Sequence, residues 1–184
     1  MNALIRFNHK TSRKLAYLFS AFLFAVTTNL AIASNELDLS ELSMYNAKAF
    51  DQQIITGGQP MISDFKKLAD NDVKLVINLR GEGEFEGFDE QQVVEGLGIK
   101  YVHIPVSGGA GISLENANKL AAALAEQDGK VVLHCASGNR VGALLAINAF
   151  QQGKVTEQEA IALGQKAGLS SLEEKTRAVI GDLK

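Results

Sequence analysis

The 184-residue sequence predicts an α/β fold in three layers: a mostly parallel central sheet with helices on both faces. Three observations carry that reading. Short β-branched runs recur at 53–56, 73–79, 99–104 and 131–134. Between them lie segments with helical spacing and helix-start residues. The strand runs are apolar on both faces, as buried parallel strands are. There are no repeats and no low-complexity tracts, so a single domain over residues 34–184 is expected.

The elements follow in order. Residues 1–33 read as a secretory signal peptide: Arg6, Lys10, Arg13 and Lys14 precede an apolar stretch at 15–26, and Ala31-Ile32-Ala33 is a small-x-small cleavage pattern before Ser34. That apolar stretch is shorter than the roughly 20 residues a spanning helix needs, so no stable membrane span is expected after cleavage. Residues 34–49 form a loose lead-in with a helical turn. Strand 53–56 breaks at Gly57-Gly58-Gln59-Pro60, and Ser63-Asp64 is expected to cap a helix to Asp70 with Phe65, Leu68 and Ala69 inward. Strand 73–79 runs into a flexible loop from Arg80. A helix at 89–97 stops at Gly98, and strand 99–104 ends at Pro105. Ser113 caps a helix at 114–126, and Asp128-Gly129 turns the chain into strand 131–134. A mostly buried helix at 141–150 stops near Gly153. Thr156 and Glu159 form a capping box, and Ser170 or Ser171 with Glu173 or Glu174 opens the last helix.

Charge narrows the function. Removing the four basic residues ahead of Ser34 from the 18 of the chain leaves 14 against 21 acidic residues, a net charge near −7. That excludes nucleic acid and anionic membrane surfaces as favoured partners. The expected location is export, periplasmic where a cell has an outer membrane and secreted otherwise. One cysteine cannot pair within the chain, so Cys135 is a buried spectator, an intermolecular link or a reactive thiol.

The stretch His134-Cys135-Ala136-Ser137-Gly138-Asn139-Arg140 joins a buried strand to a helix. Such a turn points successive backbone N–H groups into one concavity, and the helix start adds partial positive charge. A nest of this kind binds an oxyanion and stabilises a thiolate at its floor. Arg140 can grip two oxygens of a tetrahedral anion, as a lysine cannot. The catalytic pair is therefore Cys135 and Arg140, with Ala136, Ser137, Gly138, Asn139 and Arg140 binding the anion. His134 and Gln59 are read as supporting residues. His134 either orients the Cys135 loop or is satisfied by backbone groups. In parallel sheets ligands sit beyond the carboxyl ends of the strands, which places Arg80 on the same rim. It is a second anion contact, or a surface arginine paired with Glu82 or Glu84. No cluster of His, Cys, Asp and Glu has metal-ligand spacing and no dinucleotide fingerprint occurs, so no metal or cofactor is expected. Nothing in the sequence specifies an oligomeric state.

Four stretches, Thr56-Gly57-Gly58-Gln59-Pro60, Val76-Ile77-Asn78-Leu79-Arg80, Tyr101-Val102-His103-Ile104-Pro105-Val106 and Leu133-His134-Cys135-Ala136-Ser137-Gly138-Asn139-Arg140, occur in this order in one family. Over 45–153 the chain resembles the phosphatase-like domain of the beta-lactamase-hydrolase-like proteins, relatives of the cysteine-dependent dual-specificity and tyrosine phosphatases. The resemblance implies a cysteine phosphatase-like fold and a phosphomonoesterase working through a phosphocysteine on Cys135. The chain departs from those enzymes twice. Four residues separate Cys135 from Arg140 where five are usual, and the 107–113 loop lacks the usual aspartic general acid. Glu84, Glu86 or Asp89 on the neighbouring loop are the substitutes. The shorter loop also resembles that of rhodanese-type sulfurtransferases, so a persulfide carrier using a sulfur donor is the alternative, followed by a non-enzymatic anion-binding domain.

Overall fold

Alternation along the central strand sets the architecture. In Lys130–His134, Val131 and Leu133 pack into one apolar layer, and Val132 packs into the other. Both faces are covered, and the computed structural model, which describes residues 37–184, shows how.

A 3₁₀ turn, Leu39–Glu41, is the helical turn expected in the lead-in. Two short strands follow, β1 (Lys48–Ala49) and β2 (Ile54–Gly57), then α1 (Ile62–Asp70), β3 (Val73–Asn78), α2 (Glu90–Gly96) and β4 (Lys100–His103). The chain continues with α3 (Leu114–Ala125), β5 (Lys130–His134), α4 (Asn139–Gln151), α5 (Glu157–Lys166) and α6 (Glu173–Gly181). The sheet order is β1-β2-β5-β3-β4. All neighbours are parallel except the edge pair β1–β2, which is antiparallel. The mostly parallel, three-layer α/β expectation is met.

One layer is α1 and α2, whose Phe65, Leu68 and Val94 meet Val76 and Val132. The opposite layer gathers Leu120 of α3, Val141 and Leu144 of α4, Ile161 of α5 and Ile180 of α6 over Leu75, Ile77 and Leu133. Each of these side chains is fully buried, and burying one contributes about 1.5–3 kcal/mol. Helix α4 is the innermost, buried from Arg140 to Asn148. It approaches α5 closely through two glycines: a Cβ on Gly142 would lie 2.2 Å from the Leu169 nitrogen and 2.4 Å from the Gly164 oxygen.

Three local expectations are corrected. Helix α1 begins one turn early, with Met61 at its N-cap. Asp64 acts from the third helical position, its Oδ2 accepting the Met61 N–H at 2.9 Å and its Oδ1 the Ser43 N–H. Helix α6 has Leu172 rather than a serine at its N-cap, and no side chain caps it. Strand β1 was not anticipated, since two residues carry no readable alternation. The signal-peptide reading of residues 1–33 lies outside the described residues. No helix among the described residues is long and apolar enough to cross a membrane.

Insertion of β5 between β2 and β3 positions the site. The loops after β2 and β3 flank the loop after β5, so residues far apart in sequence meet at the carboxyl end of the middle strand.

Candidate active site

Period-two alternation decides which way each rim residue points. His134 shares the α2 side of the sheet with Val132, and Cys135 continues the α4 side with Val131 and Leu133. Cys135 is wholly shielded from solvent. Its sulfur nevertheless makes a polar contact, accepting the Gly138 N–H at 3.1 Å. Gly138 has φ +88°, a left-handed conformation that favours glycine, and it is the N-cap of α4.

The loop is held from the β2 side. Cys135 N–H donates to the Gly57 oxygen and Gln59 N–H to the Ala136 oxygen, and Gly58 pairs with Ser137 across an isolated bridge. A Cβ on Gly58 would sit 2.7 Å from the Ala136 oxygen, so only glycine allows this approach. From the other side, Asn139 Oδ1 accepts the Ser170 and Leu172 N–H groups and its Nδ2 donates to Ser171. Among the described residues none accepts a hydrogen bond from the backbone N–H of Ala136, Ser137, Asn139 or Arg140. Four donors at a helix start are thus available to an anion.

Arg140 is buried, and its guanidinium is fixed at one end. Nη1 donates to the Val106 oxygen at 2.8 Å, the Leu79 oxygen at 3.3 Å and Glu84 Oε2 at 2.6 Å, and Nη2 donates to Glu84 Oε1. Its Nε–H and second Nη2–H find no acceptor among the described residues, which leaves the side-on fork open. Glu84 raises the Arg140 pKa, burial opposes the rise, and the neighbouring Cys135 adds to it. In return the Arg140 hydrogen bond holds the Glu84 carboxyl below the usual carboxylate range, against partial burial.

On the α2 side a second polar cluster surrounds Glu90, the first residue of that helix. Its Oε1 accepts His134 Nε2–H at 2.9 Å. Its Oε2 accepts Arg80 Nη2–H at 3.0 Å and Gln59 Nε2–H at 2.6 Å. Asn78 Oδ1 accepts both the backbone N–H and Nε–H of Arg80, and its Nδ2 donates to the Tyr101 hydroxyl. Burial pushes the Glu90 carboxyl up, but the His134, Gln59 and Arg80 donors outweigh it and hold the group ionised. Burial raises the Tyr101 hydroxyl to about 12, the Asn78 hydrogen bond opposing and the Glu90 charge adding.

These positions revise several expectations. Arg80 is neither a surface arginine nor a partner of Glu82 or Glu84: it is 6% exposed, bonded to Glu90, and stacked 4.3 Å from the Phe85 ring centroid. Its Nη1 has no hydrogen-bond partner among the described residues. The expected loop from Arg80 is therefore anchored at its first residue. His134 is bonded by a carboxylate as well as by backbone. Of the substitute acids, Glu84 is bonded to Arg140 and Asp89 caps α2 through the Gln92 N–H at 2.9 Å; Glu86 is exposed and makes no hydrogen bond among the described residues. Glu90 was missed. Its signal was present in period-two order, which sends Asn78, Arg80 and His134 to the α2 side, but an acid beside Asp89 in a first turn reads equally as a favourable helix-dipole charge.

A family model described as a DSP-PTPase phosphatase fused to NAD+ kinase matches residues 29–179. A beta-lactamase hydrolase-like protein of Agrobacterium fabrum is 29% identical over 126 residues, which covers 66% of this chain and 29% of that protein. The chain therefore spans less than a third of that relative's length. A candidate phosphatase (DUF442) from Shewanella putrefaciens CN-32 is similar with a TM-score of 0.61 at 21% identity, over 77% of this chain and 90% of that one. Tk-PTP in its active form gives 0.57 at 19% identity, over 74% and 95%. At those identities the structural likeness establishes the fold, a phosphatase-like α/β domain.

Proposed function

The chain belongs to the DSP-PTPase phosphatase family described as fused to NAD+ kinase, and from that premise we propose that it hydrolyses phosphomonoesters with Cys135 as nucleophile. The observation that carries the reading is the loop around Cys135: the Gly138 N–H meets the sulfur, four further loop amides have no acceptor among the described residues, and the Arg140 guanidinium lies beside Cys135. The Cys135 thiolate attacks phosphorus, an S–P bond forms, and the ester oxygen leaves with the bonding pair and takes a proton from solvent. Water then attacks the phosphocysteine, the sulfur leaves as thiolate, and inorganic phosphate is released. The equatorial oxygens lie on the Ala136, Ser137, Asn139 and Arg140 amides and the Arg140 fork, donors already oriented before charge develops. Glu84 serves this step by fixing the far end of the guanidinium, so it is a clamp and not the proton donor.

Glu84 is bonded to Arg140 and Asp89 is occupied as a helix cap, so neither of these carboxylates is free to protonate the departing oxygen. Missing general-acid help costs about 10²–10⁴ with poor leaving groups. Aryl phosphates should therefore be turned over far faster than alkyl phosphates.

The sulfur-transfer alternative rests on the four-residue spacing between Cys135 and Arg140. One paired assay separates the readings. Vanadate-sensitive release of nitrophenol from p-nitrophenyl phosphate, with no thiocyanate from thiosulfate and cyanide, is expected. Thiocyanate formation without phosphatase turnover would overturn the proposal. Export belongs to the same reading: the N-terminus of the protein recovered from its native cell should begin at Ser34, and a chain retaining Met1 in the cytoplasm would contradict it.

A further inference from the structure

The acidic stretch after β3 and the amide- and hydroxyl-rich segments around β1 and the Cys135 loop give the rim two unlike sides. A cavity of about 260 Å³ on the β3 side is lined by Glu82, Glu84, Asp89 and Glu90 against Arg80 and His103. Glu90 already neutralises Arg80, and no residue of 136–140 lines this cavity. An anionic group is repelled there.

A second cavity, of about 410 Å³, has Ser137 and Asn139 of the anion-binding loop in its wall. Its lining is otherwise supplied by Tyr45, Asn46 and Lys48 around β1 and by the segment between α5 and α6, and it contains no carboxylate. The volume is that of a small-molecule site. Asn46 joins the two halves: at φ +54° it takes a left-handed conformation that asparagine tolerates better than most residues, and its Nδ2 donates to the Ser137 oxygen at 3.5 Å.

Lys48 is the one charged residue of that lining. Lys66, Lys74, Lys100, Lys119 and Lys184 each meet a carboxylate, whereas Lys48 meets none among the described residues. A part-buried ammonium in a carboxylate-free cavity favours an anionic ligand. Register sets where that ligand lies. Lys48 pairs with Thr56, and Thr56 with Leu133, two residues before Cys135. Two strand spacings put the Lys48 backbone about 10 Å from that of Leu133. Lys48 therefore stands off the phosphoryl group and addresses what that group is attached to.

We propose that this cavity seats the alcohol part of the substrate and that Lys48 binds a second anionic group there, so the chain selects phosphomonoesters that carry one. The selection among substrates rests on the phosphatase reading; the binding of a doubly anionic phosphoester does not.

The test uses 4-carboxyphenyl phosphate and 4-carbamoylphenyl phosphate, which match in shape and differ by one negative charge. Release of inorganic phosphate gives kcat/KM for each. The carboxylate-to-amide ratio in the wild type should exceed that in Lys48→Met by about fivefold, the upper end for an ion pair that solvent still reaches. Lys48→Arg should keep the wild-type ratio, and Lys48→Glu should fall below Lys48→Met. Equal ratios in the wild type and Lys48→Met would overturn the proposal. If the wild type hydrolyses neither compound, the phosphatase reading fails and calorimetry decides the proposal instead. The two dissociation constants should then show the same dependence on Lys48, and equal constants or no binding would overturn it.

Discussion

Arg140 shows how one side chain can be both anchored and available. Its Nη1/Nη2 end is bonded by Glu84, Val106 and Leu79, and its Nε/Nη2 edge is open. A lysine can reproduce the charge but neither fork. Arg140→Lys should lower kcat/KM for aryl phosphates by about 10²–10³, the cost of removing a fixed oxyanion donor, measured by initial rates. A loss under tenfold would contradict the bidentate role. Glu84 makes a separate thermodynamic statement. Its pKa is lowered in the folded protein, so its stabilising contribution is present above the ordinary carboxylate value, about 4.3, and is lost as pH falls through the lowered one. The melting temperature of the wild type should exceed that of Glu84→Gln at pH 7, and the gap should close on acidification below about pH 4. A gap independent of pH would show that the pair contributes shape and not charge.

Among the helices, the contrast between α4 and α2 is the informative one. Helix α4 is buried along nearly its whole length and crosses α5 at Gly142 and Gly164, where a methyl group meets backbone that cannot give way. Gly142→Ala should destabilise by about 1–3 kcal/mol or more, lowering the melting temperature by roughly 2–4 °C per kcal/mol. At Gly96 in α2 nothing lies within 4 Å of an added Cβ and φ is not positive. Gly96→Ala should therefore stabilise by about 0.4–1 kcal/mol, through the unfolded chain alone. Thermal unfolding of the two variants side by side checks both signs. Most of these elements were legible because their signals are local: the Ser113 and Thr156 caps, the Gly98 and Gly153 stops, and the apolar run of β5. The start of α1 was not, because Asp64 acts from inside the helix on the Met61 N–H and looks like a cap from sequence alone.

For the molecule as a whole, strand order is the controlling fact. Placing β5 between β2 and β3 turns three distant loops into one rim, and no sequence pattern within a single strand encodes that order. The Cys135 loop was legible as a candidate site from its own residues, since Cys135, Gly138 and Arg140 lie within one short stretch. Glu90 could not, since its partners Gln59, Arg80 and His134 come together only through the sheet. On the proposed reading, the fully buried Cys135 sulfur is reached by the Gly138 N–H of its own loop and lies beside the Arg140 guanidinium. Everything converges on that sulfur, and Cys135→Ser is its sharpest probe, because it removes the thiolate and leaves the loop amides and Arg140 in place. Initial rates of p-nitrophenyl phosphate hydrolysis by wild type and Cys135→Ser, both shown to be folded by circular dichroism, should differ by a factor on the order of 10³ or more. Equal rates in the two proteins would contradict a cysteine nucleophile outright.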